Sequence, residues 1–157
     1  MKLIERTDYL NRLKRLKGTP DIKIITGIRR SGKSELLRAY SKYLENTYSN
    51  QNSKLYAAAK HAQQPNNSNN QELNIISIDF NNLNYENLKN YKNLFAYVES
   101  RYIPEAYNVL IIDEVQLCPK FELAINSLHN SNKYDIYLTG SNAVSYTHLT
   151  LPTKRIV

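Results

Sequence analysis

Three stretches of the chain carry residues whose types and spacing could do chemistry. The first is Gly27-Ile28-Arg29-Arg30-Ser31-Gly32-Lys33-Ser34. It fits G-x-x-x-x-G-K-[ST], the pattern of a phosphate-binding P-loop. Its glycines permit a tight backbone wrap, and a helix starting near Lys33 would present free N–H groups and a positive dipole end to an anion. Gly27, Arg29, Arg30, Ser31, Gly32, Lys33 and Ser34 are therefore the expected nucleotide contacts. Lys33 is expected at the β/γ-phosphates and the Ser34 hydroxyl on Mg2+.

The second stretch is Val109-Leu110-Ile111-Ile112-Asp113-Glu114. Four apolar residues predict a strand buried on both faces. Two carboxylates follow at its C-terminal end, where open α/β sheets bind ligands. The pattern is that of a Walker B motif with an adjacent glutamate. Asp113 is expected to hold Mg2+ through water or in its second shell. Glu114 is expected to polarise the water that attacks the γ-phosphate. The third stretch, Tyr134 to Thr139, runs into Gly140-Ser141-Asn142. A polar residue here, Asn142 or Ser141, is expected to position the lytic water; the alternative is a plain turn.

These residues need a scaffold, and the apolar pattern supplies one. Strands are predicted near Ile22, Asn74, Val109 and Tyr134. Tyr9, Leu10, Leu13 and Leu16 share a helical face, with Thr7 or Asp8 available as N-cap. Leu36, Leu37, Tyr40 and Leu44 predict the helix behind the P-loop. Leu88, Tyr91, Leu94, Phe95 and Val98 predict another, and Phe121, Ala124, Ile125 and Leu128 a fourth. Pro119 suits the start of that last helix. Residues 46–72, rich in Asn, Gln and Ser, read as a flexible insertion with a short helix near Lys54–Lys60. The fold class is α/β, a mostly parallel sheet between helical layers.

At 157 residues the chain has room for one domain with a core. Its 41% hydrophobic and 22% charged residues are ordinary for a globular protein. No apolar run reaches membrane-spanning length, and no signal-peptide core follows Met1. One cysteine, Cys118, excludes an internal disulfide and fits a reducing cytoplasm. The net charge of +7 admits a nucleic-acid partner. No dense basic run supports one, and the basic face of the first helix reads as solvated.

Asn132-Lys133-Tyr134-Asp135 matches the guanine-reading N-K-x-D of GTPases but precedes its strand instead of following it. Asp113 also lacks the D-x-x-G switch that GTPases carry, so ATP is the expected nucleotide. Small-molecule kinases need no glutamate beside that aspartate to activate water. Thr26 to Ser34, Ile112-Asp113-Glu114-Val115-Gln116 and Leu138-Thr139-Gly140-Ser141-Asn142 together resemble a prokaryotic AAA-type ATPase family. Its members pair an N-terminal ATPase domain with a C-terminal domain of nuclease-like fold. The likeness covers most of residues 1–143 outside the Asn-rich insertion. It implies an additional-strand P-loop NTPase sandwich with the fourth strand between the first and third. It also implies Mg·ATP hydrolysis, and a partner surface or arginine finger from a protein partner or a second copy. The competing classes are an ATP-dependent switch with negligible turnover and a nucleic-acid-associated NTPase.

Residues 144–157 depart from the family pattern. Val144 to Thr153 can be encoded by GTC TCT TAT ACA CAT CTG ACG CTG CCG ACG. That looks like the transposase adapter used in short-read library preparation. The segment is read as a non-native tail, with residues 1–143 as a partial ATPase domain incomplete at its C-terminus. A fifth strand is then missing, the first strand is expected to be an open edge, and residues 1–157 as written are expected to be weakly active or inactive as an ATPase.

Overall fold

A chain with four apolar β-branched runs separated by helical stripes has one economical solution, a parallel sheet with helices on both faces. A computed structural model describes residues 3–27, 32–59, 71–141, 149 and 153–156 and has that arrangement. Helix α1 (Leu3–Leu16) leads into β1 (Ile22–Gly27), and α2 (Lys33–Ala59) follows the P-loop. Strand β2 (Leu73–Asp79), a 3-10 turn (Leu83–Leu88) and α3 (Tyr91–Ser100) come next. Then follow β3 (Tyr107–Asp113), a second 3-10 turn (Val115–Leu117), α4 (Phe121–Asn130), β4 (Tyr134–Ser141) and β5 (Thr153–Ile156). The sheet order is β2-β3-β4-β1-β5, and every pairing is parallel. The fourth strand thus lies between the first and third, as the family resemblance implies.

Strand pleating sends neighbouring side chains to opposite faces, and the two cores follow it. Ile22, Ile24, Leu110, Ile112, Ile136 and Leu138 face α3 and α4, where they meet Leu94, Val98, Ile125 and Leu128. Ile25, Val109, Ile111 and Tyr137 face the other way, onto Leu13 of α1 and Leu36, Leu37, Tyr40 and Leu44 of α2. Asn90 caps α3 by accepting from the Lys92 and Asn93 amides. Cys118 is fully buried, and burial, followed by the nearby Glu122 charge, pushes its thiol up to about 11.

Three expectations are corrected. The Asn-rich insertion begins later than residue 46, because α2 continues through Ala59. No Gly or Pro interrupts residues 33–59, and asparagine alone lowers helix propensity by only a fraction of about 1 kcal/mol. Tyr48 anchors this extension by stacking on Tyr107 of β3, ring centroids 5.8 Å apart. The first helix starts at Leu3, ahead of the expected cap at Thr7 or Asp8. And the outer edge of β1 is not open: Ile22 to Ile25 pair with Thr153 to Ile156. Leu149 is buried in the α3/α4 core as well. Such a ladder uses backbone groups that any extended segment carries.

The basic face of α1 is less free than the charge pattern implies. Lys14 lies 4.3 Å from the Tyr43 ring centroid, and Lys17 lies over both Tyr48 and Tyr107. These cation–π contacts tie α1 to α2 and β3. Beneath them sits a buried ion pair. Lys23, fully buried in β1, donates to Asp135 Oδ1 at 2.5 Å and to the Thr19 carbonyl at 2.6 Å. Asp135 also accepts the Gly18 amide and the Tyr107 and Tyr137 hydroxyls. Burial, followed by the Asp135 charge, holds both tyrosine hydroxyls protonated well above the ordinary tyrosine range.

Two outcomes test this packing. Lys23→Met leaves Asp135 buried without its cation and is expected to cost about 3–5 kcal/mol in chemical denaturation. A loss below about 1 kcal/mol would place the pair in solvent. Truncation after Ala143 removes the β5 ladder and Leu149 and is expected to lower Tm, read by calorimetry. An unchanged Tm would show that β5 does not cover β1 in solution.

Candidate nucleotide-binding site

All strands are parallel, so their C-terminal ends lie on one edge of the sheet. Gly27, Asp113 and Ser141 end β1, β3 and β4 there, with Gly27 opposite Ser141 in register. The N-terminus of α2 arrives at the same edge because the P-loop is short. Gly32 takes φ +86°, a left-handed conformation that favours glycine, and its carbonyl accepts the Leu36 amide at 3.0 Å to start the helix.

Lys33 and Ser34 are the first two residues of α2. Lys33 is 7% exposed, and its ammonium donates to the carbonyls of Gly27 at 3.0 Å and Gly140 at 2.9 Å. It lies 3.7 Å from Glu114 Oε1. Ser34 Oγ donates to Asp113 Oδ2 at 2.5 Å. Two residues 79 positions apart thus meet as the P-loop and acidic-strand patterns anticipate. A cleft of about 490 Å³, lined by Ser34, Asp113, Asp79 and Arg38 among others, opens beside them.

Asp113 is 8% exposed, and its second oxygen is also engaged: Thr139 Oγ1 donates to Oδ1. Thr139 in turn accepts the Glu114 amide at 2.9 Å. One fully buried hydroxyl therefore fixes both acidic residues. Glu114 stands at φ 57°, ψ 53°, left-handed, a conformation uncommon outside glycine and found at strained functional positions. That turn aims its carboxylate back towards Lys33 and away from the line of the strand. Its Oε2 accepts Gln116 Nε2 at 2.5 Å.

The structure brings Gly27, Gly32, Lys33, Ser34, Asp113 and Glu114 together. Arg29, Arg30 and Ser31 of the loop lie outside the described residues, and so does Asn142. Ser141 ends β4 and is half-buried. Thr139 and Gln116 are the site residues that motif reading passed over. Thr139 had a signal: it is a hydroxyl in an otherwise apolar stretch, one step past the Ile112–Leu138 pair that sets it beside Asp113. Gln116 had none, because its reach to Glu114 depends on the left-handed turn.

Asp135 of the N-K-x-D match is at the opposite end of the sheet. It is the second residue of β4, and its oxygens are taken by Lys23, Gly18, Tyr107 and Tyr137. It is a packing residue and reads no base.

A sequence model of the family described as AAA domain matches residues 19–156. The chain is also 32% identical over 143 residues to an uncharacterized protein of Haemophilus influenzae (strain ATCC 51907 / DSM 11121 / KW20 / Rd). That alignment covers 90% of this chain and 30% of the relative, so the chain spans less than a third of that protein. The match over most of the chain, the sheet order and the meeting of Lys33, Ser34 and Asp113 agree with one another, and the chain belongs to the AAA domain family.

Proposed function

We propose that the domain binds ATP with Mg2+ and hydrolyses it. The observation that carries this reading is the hydrogen-bond chain Ser34–Asp113–Thr139–Glu114, which links the start of α2 with the ends of β3 and β4. The P-loop pattern alone would support phosphate binding. A buried aspartate tied to the loop serine, next to a glutamate on a separate turn, adds the parts that hydrolysis needs.

The donor set fits Mg2+. Ser34 and Asp113 are hard oxygen ligands already in contact, and among the described residues no cluster of three or more His, Cys, Asp or Glu competes for another metal. Mg2+ keeps several waters and takes its remaining ligands from phosphate, so two protein oxygens suffice. When bound, the ion would neutralise charge on the β- and γ-phosphates.

The chain's own groups account for the rest. Gly27, Gly32 and the loop residues Arg29, Arg30 and Ser31 would wrap the phosphates with backbone N–H groups. Lys33 would exchange its two carbonyl partners for phosphate oxygens. Glu114 would accept a proton as water attacks the γ-phosphorus and the bond to the β-phosphate oxygen breaks, leaving ADP and phosphate. Asn142 or Ser141 would contact the same water.

A second reading, a nucleotide-dependent switch with negligible turnover, is favoured by the position of Glu114, which faces Lys33 and Gln116. In either reading a partner or second copy would complete the site. No described helix is long and apolar enough to cross a membrane. A cytoplasmic location, where Mg·ATP is available, belongs to the same proposal.

Lys33→Ala is expected to lower affinity for a fluorescent ATP analogue about ten- to hundredfold, the value of one charge-assisted phosphate contact. Unchanged affinity would remove the P-loop assignment. Glu114→Gln is expected to retain Mg·ATP and abolish phosphate release, whereas Asp113→Asn should mainly raise the Mg2+ concentration required for binding. A Glu114→Gln variant that releases phosphate at the parent rate would eliminate Glu114 as the base. Binding without phosphate release by the chain completed with its partner or second copy would favour the switch.

A further inference from the structure

We infer that Gln116 is a positioning residue for Glu114: its side-chain amide orients the carboxylate at the P-loop. The consequence for turnover rests on the hydrolysis reading above, whereas the contact itself rests on geometry.

The Glu114 carboxylate has two described neighbours. Oε1 lies 3.7 Å from Lys33 Nζ, and Oε2 accepts Gln116 Nε2 at 2.5 Å. The first contact cannot persist once Lys33 turns to phosphate. Gln116 is then the donor that remains among the described residues. A carboxylate on a flexible two-carbon stem needs such a hold to keep one oxygen aimed at a water.

Gln116 is well placed to give that hold because its backbone cannot drift. Val115 and Cys118, on either side of it, are fully buried in the α3/α4 core. The intervening turn is closed by Leu117 N to Glu114 O at 3.1 Å and by Cys118 N to Val115 O at 3.0 Å. Glu114 is fixed from its other side, through its amide, by Thr139. Base and holder are thus anchored separately and meet across one left-handed residue.

The amide's orientation is also determined. A reversed amide would put a carbonyl oxygen against a carboxylate oxygen, so Nε2 must face Glu114. This leaves Gln116 Oε1 buried without a hydrogen-bond partner among the described residues. Thr26 Oγ1 and His129 Nδ1 share that state, so the geometry of the Nε2 contact and not the unpartnered oxygen carries the inference. Native proteins tolerate such exceptions at functional positions.

The test compares the 157-residue parent with Gln116→Met, which preserves length and removes the donor, and Gln116→Glu, which sets a second carboxylate against Glu114. Mg·ATP affinity is measured with a fluorescent analogue, and hydrolysis under single-turnover conditions. Both variants are expected to keep parental affinity and to hydrolyse about ten- to hundredfold more slowly, the cost of a misaimed group. Gln116→Met hydrolysing at the parent rate, or losing affinity and rate in the same proportion, would overturn the inference. A readout independent of turnover is the Gln116 side-chain amide signal in nitrogen-edited NMR, assigned by its absence in Gln116→Met. It is expected to move in Glu114→Ala, and an unmoved signal would overturn the contact. If the parent does not hydrolyse ATP even with the second copy or partner that completes the site, the hydrolysis reading falls alone, and the amide signal still decides the orientation of Glu114.

Discussion

The site depends on how one carboxylate is shared. Asp113 gives one oxygen to Ser34 on α2 and the other to Thr139 on β4. Through the first it joins the P-loop helix to the sheet. Through the second it reaches the hydroxyl that also fixes the Glu114 backbone. A carboxylate that is 8% exposed needs partners for both oxygens, and meeting that need draws together segments far apart in the chain. The parallel ladder makes this feasible, because it sets the ends of β3 and β4 side by side before any side chain chooses a partner.

Most of this arrangement was legible in the sequence because it rests on short-range patterns. Apolar runs located the four strands that the motifs require. The P-loop and acidic-strand patterns gave Lys33, Ser34, Asp113 and Glu114 their neighbourhood before any coordinates. The parts that escaped reading each depend on something that period and spacing do not encode. Tyr48, past the expected end of α2, stacks on Tyr107 in a strand far along the chain, a contact that spacing does not encode. Lys23 sits in an inward position where hydrophobic periodicity predicts an apolar residue, and only the Asp135 carboxylate makes it tolerable. Gln116 reaches Glu114 because of a backbone conformation that glutamate seldom adopts.

The two buried aspartates show how one residue type serves opposite purposes. Asp113 stands where the strands end, next to an open cleft, and its partners are hydroxyls that a ligand could replace. Asp135 stands where β4 begins, and its partners are a fully buried lysine, a backbone amide and two tyrosines. The first has its partners at the mouth of that cleft. The second is saturated and acts as a pin between the turn after α1 and strands β1, β3 and β4. Position along a parallel strand separates the two roles.

The short ladder between β1 and β5 has a consequence for how molecules meet. Four residue pairs of backbone bonding close the sheet on that side, against five between β1 and β4. A strand at the end of the sheet is bonded along one side only, so its release would uncover the outer edge of β1. The exposed groups of β1 would then accept an equivalent segment from a neighbouring chain as readily as their own, since the bonding is blind to side chains. At high concentration such exchange would be reciprocal in pairs or continue end to end, so the same four residues that shield the edge of one molecule could become the link in a chain of them.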